Sequence, residues 1–276
     1  MKKLIVILMF SLGINLYSQQ FNIITYNIRF NNPEDGENAW PNRKENVCQL
    51  LHFHDAAIFG MQEALVDQVK DVASQFEGYS WIGVGRDDGK EKGEYSPIFY
   101  SEKLFKVENK GWFWLSETPD KPSMGWDAAC IRICTWAIFT HKESGRKFIV
   151  FNTHFDHKGD TARLNSVDLI ISKIKELNPD NLPLIFMGDL NLTPDKEPIV
   201  KLKNYLHDSK NMSEEPPYGP EGTFNGFDFL SGLPNRIDYI FVNDKIEVKK
   251  YVVLTDSKDK HYFSDHLPVF VKMNLD

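Results

Sequence analysis

Cysteine is scarce in this sequence, which limits the classes of protein it can be. Only Cys48, Cys130 and Cys134 occur in 276 residues, so the chain is not a disulfide-dense scaffold. In a continuous strand, Cys130 and Cys134 would lie about 13 Å apart, too far for a disulfide. Because there is no second cysteine cluster, a zinc site is not expected. We expect buried free thiols.

Basic residues are also fewer than acidic residues. Lys and Arg number 32 against 39 Asp and Glu, for a net charge of −7, and the basic clusters "KLKN" and "DKIEVKK" are typical of solvated faces. An acidic surface gains nothing from long-range attraction to a polyanion, so tight binding of duplex DNA is disfavoured. An enzyme that recruits metal cations to offset its own carboxylates remains compatible with this charge.

Long hydrophobic runs are confined to the N-terminus. Lys2 and Lys3 precede an apolar run over residues 4–12, and small and polar residues follow. This layout predicts a signal peptide over residues 1–18 that is removed on export, with an uncleaved N-terminal anchor as the alternative. Residues 19–276 are then expected to form one secreted or periplasmic domain, a monomer without stable membrane insertion.

The order of patterns along the chain predicts two sheets packed face to face with helices outside. Strand and helix signals alternate in the first third, hairpins fill the middle, and helix and strand signals return after residue 160. The helix predicted over 160–177 has Asp160 or Thr161 as its cap. The aromatic run 112–114 is predicted to be a strand, and a membrane-inserting loop is the alternative.

Several predicted strands end in acid, amide or imidazole side chains. Turn and capping preferences could explain any one of them, but their recurrence favours a shared site. Oxygen donors without thiolates favour magnesium, manganese or calcium. The side chains concerned are Asn27, Gln62, Glu63, Asn152, His154, Asp156, His157, Asp189, Asn191, Arg236, Asp238, Ser264, Asp265 and His266.

Metal-assisted hydrolysis of a phosphate ester needs such a set. A divalent ion held by Asn27, Glu63 and Asp265 would neutralise the phosphate oxygens and the leaving oxygen.

The remaining groups suit water activation and proton transfer. Asn191 could hold an attacking water whose proton Asp189 accepts. His266, with its second ring nitrogen held by Asp238, could contact the phosphate or share the proton. His154 is predicted to donate to a phosphate oxygen or to the leaving group.

The motifs "TYNIR", "MQE", "NTHFDH", "GDLN", "RIDYIF" and "SDHLPV" occur in the order found in the endonuclease/exonuclease/phosphatase superfamily. The resemblance runs from about residue 21 to the C-terminus. The segment "NTHFDH" differs from the apurinic endonuclease branch.

The resemblance implies an α/β fold, a four-layer α/β/β/α sandwich of two packed mixed β-sheets with helices outside, as in deoxyribonuclease I. It implies dependence on Mg²⁺ (or Mn²⁺). By motif, the catalytic residues are His154, Asp189, Asn191, Asp238 and His266, and the metal ligands are Asn27, Glu63 and Asp265. Arg132 and Asn152 are candidate substrate-binding residues, with surface ion pairing as the alternative for Arg132.

The predicted function is therefore metal-dependent hydrolysis of a phosphate ester by an activated water. The substrate is either a nucleic acid, as for a phosphodiesterase or nuclease, or a small sugar, inositol or nucleotide phosphate, as for a phosphatase. A non-catalytic binding module on the same fold is the alternative from another class.

Overall fold

A computed structural model describes residues 20–230 and 232–275. The predicted signal peptide, residues 1–18, lies outside the described residues. Within the described ranges, no helix combines the length and apolar character needed to cross a bilayer.

Fourteen strands and five α-helices make up the described chain, with one 3₁₀ segment at Pro33–Asn38. The helices are α1 (Trp40–Phe53), α2 (Val66–Gln75), α3 (Asp160–Leu177), α4 (Glu197–Lys203) and α5 (Ser209–Met212). The strands are β1 (Phe21–Asn27), β2 (Ala56–Gln62), β3 (Tyr79–Ile82), β4 (Ile98–Ser101), β5 (Phe105–Trp114), β6 (Ile133–His141), β7 (Lys147–His154), β8 (Leu184–Asp189), β9 (His207–Asp208), β10 (Asp238–Val242), β11 (Ile246–Val253), β12 (Ser257–Lys258), β13 (His261–Tyr262) and β14 (Val269–Leu275).

Twelve of the strands form two six-stranded mixed sheets. Sheet I has the order β11-β14-β1-β2-β4-β3, and sheet II has the order β5-β6-β7-β8-β10-β9. Each sheet contains one central parallel pair, β1 with β2 and β7 with β8, and its other pairs are antiparallel. Parallel neighbours end at the same edge, so polar residues that follow both strands of a pair come together there.

The two sheets pack face to face over an apolar core. Ile23, Ile58, Val150, Ile185 and Ile240 all point into it. Side chains alternate along a strand, so residues an even number of positions apart share a face. Asn27, Asp189 and Asp238 therefore lie on the same inner face as Ile23, Ile185 and Ile240 of their own strands. The space between the sheets thus changes from apolar to polar toward one edge.

Helices cover the outer faces and complete four layers, as predicted. Val47 and Leu51 of α1 and Val69 and Val72 of α2 pack on sheet I, and Ile170 of α3 packs on sheet II. These amphipathic stripes bury apolar surface that a bare sheet would expose.

The predicted cap of α3 is wrong in detail. Gly159 occupies the N-cap position and offers no side chain, and Asp160 lies already inside the helix. Asp127, from a distant loop, accepts hydrogen bonds from the backbone N–H groups of Thr161 and Ala162 at 3.2 and 2.7 Å. A carboxylate from another segment therefore satisfies the free donors of the first turn.

The aromatic prediction and most of the cysteine prediction agree with the structure. Cys48, Cys130 and Cys134 are free thiols, and Cys48 and Cys134 are buried as predicted, whereas Cys130 is half-buried. The run 112–114 lies in β5, where Phe113 and Trp114 are buried and Trp112 is 39 % exposed. The strand interpretation of this run is the one confirmed.

Candidate active site

Strand register places three of the predicted catalytic residues side by side. Asp189 ends β8, and its register partners are His154, at the end of parallel β7, and Asp238, at the start of antiparallel β10. All three sit where the inner faces of the strands become polar. Sheet II therefore presents an imidazole and two carboxylates at a single edge.

Sheet I brings Asn27 and Glu63 to the same edge. The Asn27 amide nitrogen donates to Glu63 Oε1 at 3.1 Å and to Asp189 Oδ2 at 2.9 Å, so it bridges the two sheets. Its amide oxygen accepts from the Arg29 backbone N–H at 3.0 Å. Asn27 therefore holds the two carboxylates in place. Its amide oxygen has a second lone pair beyond the bond from Arg29, so its role as a metal ligand stays a prediction.

Left-handed backbone conformations occur at this edge. Arg29, Glu63 and Asn191 have φ values of 56°, 62° and 52°. Non-glycine residues adopt such φ values at a cost, and strained backbone of this kind clusters at active sites. Each residue lies just past a strand end, where this turn directs its side chain back toward the site.

Two buried carboxylates surround the imidazole of His266. Its Nδ1 lies 2.8 Å from Asp238 Oδ2, and its Nε2 lies 3.7 Å from Asp189 Oδ2. Burial by itself would lower the pKa of His266, but Asp238 and Asp189 together raise that pKa well above its usual value. Burial and the nearby Asp238 charge raise the pKa of Asp189 to about 7. His266 is therefore held as a cation between two acids.

His154 differs in charge and in role from His266. Burial, followed by the charge of Arg132, lowers the pKa of His154 well below its usual value, so the ring is neutral. The Asn191 amide nitrogen donates to Phe155 O at 3.0 Å and lies 2.9 Å from His154 Nε2. The first contact fixes the amide orientation, so Nε2 must accept and the ring proton resides on Nδ1.

His154 orients the Asn191 amide, whose oxygen is left to accept from a water. The Nδ1 atom of His154 has no hydrogen-bond partner among the described residues. The predicted donation by His154 to a phosphate oxygen or to the leaving group stays a prediction. The Asn191 backbone N–H also donates to Asp189 Oδ1 at 2.9 Å, which ties the two members of the predicted water-activating pair together.

Asp265 approaches from the loop before β14. Its side chain is 9 % exposed, and burial, with a smaller contribution from the Glu63 carboxylate, raises its pKa. The backbone N–H groups of Asn225 and Gly226 donate to Asp265 O at 2.8 and 3.0 Å. These bonds fix the segment that carries both Asp265 and His266.

A cavity of about 500 Å³ opens onto this edge. Seven of the ten predicted site residues line it: Glu63, Arg132, His154, Asp189, Asn191, Asp265 and His266. Asn27 and Asp238 do not line the cavity but are hydrogen-bonded to lining residues, Asn27 to Asp189 and Asp238 to His266. Nine of the ten therefore belong to one connected site.

Asn152 is the exception, and its prediction as a substrate-binding residue is wrong. Its amide nitrogen donates to Met61 O and Pro97 O, both at 2.9 Å, and its oxygen accepts from the Gln62 amide at 2.7 Å. Gln62 also donates to Thr25 Oγ1 at 3.0 Å. The Asn152 side chain is fully buried and its hydrogen-bonding groups cross-link the sheets.

Replacing Asn152 by alanine should therefore act on stability. The change removes bonds across the sheets and leaves Met61 O and the Gln62 amide short of a partner, which should cost about 2–3 kcal/mol. Urea denaturation measures this free energy of unfolding, with exposed Asn211→Ala as the matched control, expected within about 0.5 kcal/mol of the parent. An unchanged denaturation midpoint for Asn152→Ala would show that the cross-link carries no net free energy.

The donor set fits a hard divalent cation. Glu63, 15 % exposed at its side chain, faces the cavity together with Asp265 and Asp189. Burial, with a neighbouring carboxylate in each case, raises the pKa values of Asp189 and Asp265, so keeping both ionised is costly without additional positive charge. A cation bound by Glu63 and Asp265 would supply that charge, and carboxylate oxygens are the ligands that Mg²⁺ and Mn²⁺ prefer.

Residues outside the predicted set also shape the site. Thr223 Oγ1 donates to Asp238 Oδ2 at 2.6 Å, and Arg86 and Glu94 line the cavity. All three come from long connections between strands. The only sequence signals near them are the glycines of "VGRDDG" and "EGTFNG", which indicate turns without indicating where those turns lead.

Comparisons with known proteins agree with this geometry. A family model described as "Endonuclease/Exonuclease/phosphatase family" matches residues 24–266. An Endonuclease/Exonuclease/phosphatase family protein from Bacteroides thetaiotaomicron superposes with a TM-score of 0.90 at 41% identity, covering 94% of this chain and 99% of that one. A mannosyl-6-phosphatase from Bacteroides thetaiotaomicron VPI-5482 superposes with a TM-score of 0.88 at 43% identity, covering 91% and 98%.

More distant relatives extend the comparison. The human Nocturnin catalytic domain superposes with a TM-score of 0.74 at 18% identity, covering 94% of each chain, a likeness in fold alone. A curated protein of Acanthamoeba polyphaga mimivirus is 28% identical over 84% of this chain, and the match spans only 40% of its own length. An RNA exonuclease of Saccharomyces cerevisiae is 25% identical over 52% of this chain and 49% of its own length.

Proposed function

This chain belongs to the Endonuclease/Exonuclease/phosphatase family, and we propose that it is a divalent-metal-dependent phosphatase acting on a small phosphorylated sugar. The observation that carries the proposal is the meeting of Asp189, Asn191 and the Asp238–His266 pair beside Glu63 in one cavity. These groups can position a water, accept its proton and stabilise charge on a phosphoryl group.

Hydrolysis follows from the positions of the side chains. Asn191, oriented by His154, holds the attacking water with its amide oxygen, and Asp189 accepts the water proton. His266, cationic between its two carboxylates, donates to a phosphoryl oxygen and stabilises the charge that accumulates there. Mg²⁺ or Mn²⁺ held by Glu63 and Asp265 would supply Lewis acidity to the phosphoryl and leaving oxygens.

Three features favour a small phosphate monoester over a nucleic acid. The cavity of about 500 Å³ is concave and of a size suited to a small ligand. The net charge of −7 gives no long-range attraction to a polyanion. Finally, the mannosyl-6-phosphatase at 43% identity acts, by its name, on a phosphorylated sugar.

A nuclease is the second candidate, and one surface feature favours it. Phe30 and Phe224 line the cavity, and Phe224 is 38 % exposed, with its ring 5.1 Å from that of His266 in an edge-on contact. Exposed aromatic rings can stack with the bases of a single strand.

A substrate panel tests the proposal. Purified protein with Mg²⁺ is given glucose 6-phosphate, mannose 6-phosphate, p-nitrophenyl phosphate, single-stranded DNA and RNA. Phosphate release from the sugar phosphates with intact polynucleotides is the expected result. Cleavage of DNA or RNA with the sugar phosphates left intact would establish the nuclease instead.

We further propose that the enzyme acts as a secreted or periplasmic monomer after removal of residues 1–18. The support is the order of charged, apolar and small residues in that segment. Intact-mass measurement of the protein recovered outside the cytoplasm should show loss of these eighteen residues, and a full-length mass would refute the cleavage.

A further inference from the structure

Three charged side chains form a separate part of the cavity wall, which we call the hydroxyl subsite: Arg86, Glu94 and Arg132. Arg86 Nη1 donates to Glu94 Oε2 at 2.6 Å, and Arg132 Nη1 lies 3.9 Å from the same oxygen. The His154 ring separates this group from the reaction centre, with Nε2 at 3.3 Å from Asp189 and Nδ1 at 3.9 Å from Glu94. The subsite thus lies one imidazole ring away from the proposed base.

Two arginines of the subsite have unused hydrogen-bond donors. Arg132 is 5 % exposed, and its Nε and Nη1 have no hydrogen-bond partner among the described residues; the same holds for Arg86 Nε. Buried donors without an acceptor are costly to maintain. Both residues line the cavity, so a modest shift of either guanidinium would bring these buried donors to a ligand with acceptor oxygens.

Arg86 and Glu94 are held rigidly, although they lie on the long connection between β3 and β4. The backbone N–H of Tyr95, next to Glu94, donates to Ala64 O at 2.7 Å, which ties Glu94 to the segment carrying Glu63. The Trp114 indole donates to Arg86 O at 2.6 Å. A wall fixed before the ligand arrives loses little entropy on binding.

Arg132 is held by a second fixed group, Asp156. The Asp156 carboxylate accepts from four backbone N–H groups, those of Ala129, Cys130, Lys158 and Gly159. Its Oδ2 lies 3.6 Å from Arg132 Nε. A third carboxylate, that of the half-exposed Asp87, lies 3.7 Å from Arg86 Nε. The two arginines therefore face three carboxylates, so the subsite carries no excess of positive charge.

This charge balance distinguishes between possible ligands. A second phosphate would bring its negative charge against Glu94 without a surplus of cations to offset it. A hydroxyl group suits the site better because it can donate to the Glu94 carboxylate and accept from an arginine at the same time. Adjacent hydroxyls on a sugar ring could use both arginines.

We propose that Arg86, Glu94 and Arg132 bind the hydroxyl groups of the sugar that leaves, and so select a phosphorylated sugar over other phosphate monoesters. This inference rests on the proposed phosphatase function. It assigns substrate selection to Glu94, a residue separate from those that hold the water and the phosphoryl group.

The experiment compares two kinds of substrate that share a phosphoryl group. Glucose 6-phosphate and mannose 6-phosphate carry ring hydroxyls, and p-nitrophenyl phosphate carries none. Glu94→Gln should lower kcat/KM for the sugar phosphates by about 10- to 100-fold, chiefly through KM, because a hydrogen bond to a charged group is lost. The loss of p-nitrophenyl phosphate turnover should be about tenfold smaller, because this substrate offers no hydroxyl group to the subsite.

Two further variants separate recognition from folding. Arg86→Lys keeps the charge and loses the planar fork of donors, so it should show the same substrate-dependent loss. Glu91→Gln removes an exposed carboxylate of the same connection, one paired with Lys70, and should leave both substrates unchanged. Thermal unfolding of each variant confirms that the protein is folded.

The outcomes distinguish this inference from the proposed function. If the parent enzyme hydrolyses neither monoester, the proposed function fails and the subsite assignment fails with it. If the parent hydrolyses the sugar phosphates but Glu94→Gln affects both substrates equally, or neither, only the assignment is overturned. Parent activity on p-nitrophenyl phosphate without activity on the sugar phosphates also overturns it.

Discussion

Replacing Asp189 by asparagine is expected to lower kcat by about 10²- to 10⁴-fold, the range of a lost general base. The new amide keeps the size of the carboxylate, so packing at this fully buried position is preserved. What is lost is the group that accepts the water proton. Steady-state hydrolysis of a sugar phosphate measures the effect, and exposed Asp195→Asn, six positions further on, is the matched control.

The same substitution should change stability in a way that depends on pH. The pKa of Asp189 is raised to about 7 in the folded protein, against about 3.9 for an unfolded aspartate. A group with a raised folded pKa is destabilising once the pH rises above its unfolded pKa, and the penalty is complete above its folded pKa. Without divalent cations, Asp189→Asn removes this penalty at pH 8 but places an NH₂ group against one of the donors that reach the carboxylate, those of Asn27 and Asn191. The unfolding temperature of the variant relative to the parent should therefore be higher at pH 8 than at pH 5.

This pH dependence excludes a trivial explanation. A variant that loses activity because it is misfolded would have a low unfolding temperature at both pH values. If Asp189→Asn retains near-parental kcat, the assignment of Asp189 as the base is wrong.

Asp238→Asn is the second substitution with a large expected effect. Asp238 keeps His266 protonated and holds its Nδ1 at 2.8 Å. Loss of the charge should reduce kcat by about 10²- to 10⁴-fold at neutral pH, since both the charge and the orientation of the imidazole depend on it. A rate profile from pH 5 to 10 measures both effects.

The pH profile should shift in a defined direction. The active cation of His266 is lost as pH rises through its pKa, so lowering that pKa moves the alkaline limb of the profile to lower pH. Thr223→Val is the matched comparison: it removes the 2.6 Å hydrogen bond to Asp238 but keeps the charge. It should lower the rate and leave the alkaline limb near its parental position, and a shift equal to that of Asp238→Asn would contradict this account.

Much of the fold and site followed from the sequence because both depend on strand alternation. The inner-face positions of β7 run Phe148, Val150, Asn152 and His154, and the same alternation could have shown that Asn152 lies between the sheets. Asn152 shares the motif "NTHFDH" with His154, and this proximity in sequence led to the wrong role. Only the last inner-face residue of the strand reaches the cavity.

Other features depend on contacts between distant segments. The sequence identified Asn27 but could not show which end of its amide faces Glu63, because the Arg29 backbone N–H decides this. Arg86 and Glu94 lie on a connection whose path is fixed by Ala64 and Trp114, so no local pattern places them in the cavity. The orientation of side chains such as Asn27 and the path of the connection that carries Arg86 and Glu94 therefore could not be predicted from the sequence.

The most direct test of the central claim is metal-dependent turnover of a sugar phosphate by chelator-treated protein. We expect the treated enzyme to be inactive and to recover fully on titration with Mg²⁺ or Mn²⁺. Glu63→Gln should need a concentration about 10- to 100-fold higher for half-recovery, as expected when a ligand oxygen loses its charge. Full turnover by the chelated parent protein, with no response to added cation, would contradict the claim that these strand ends form a metal-dependent phosphatase site.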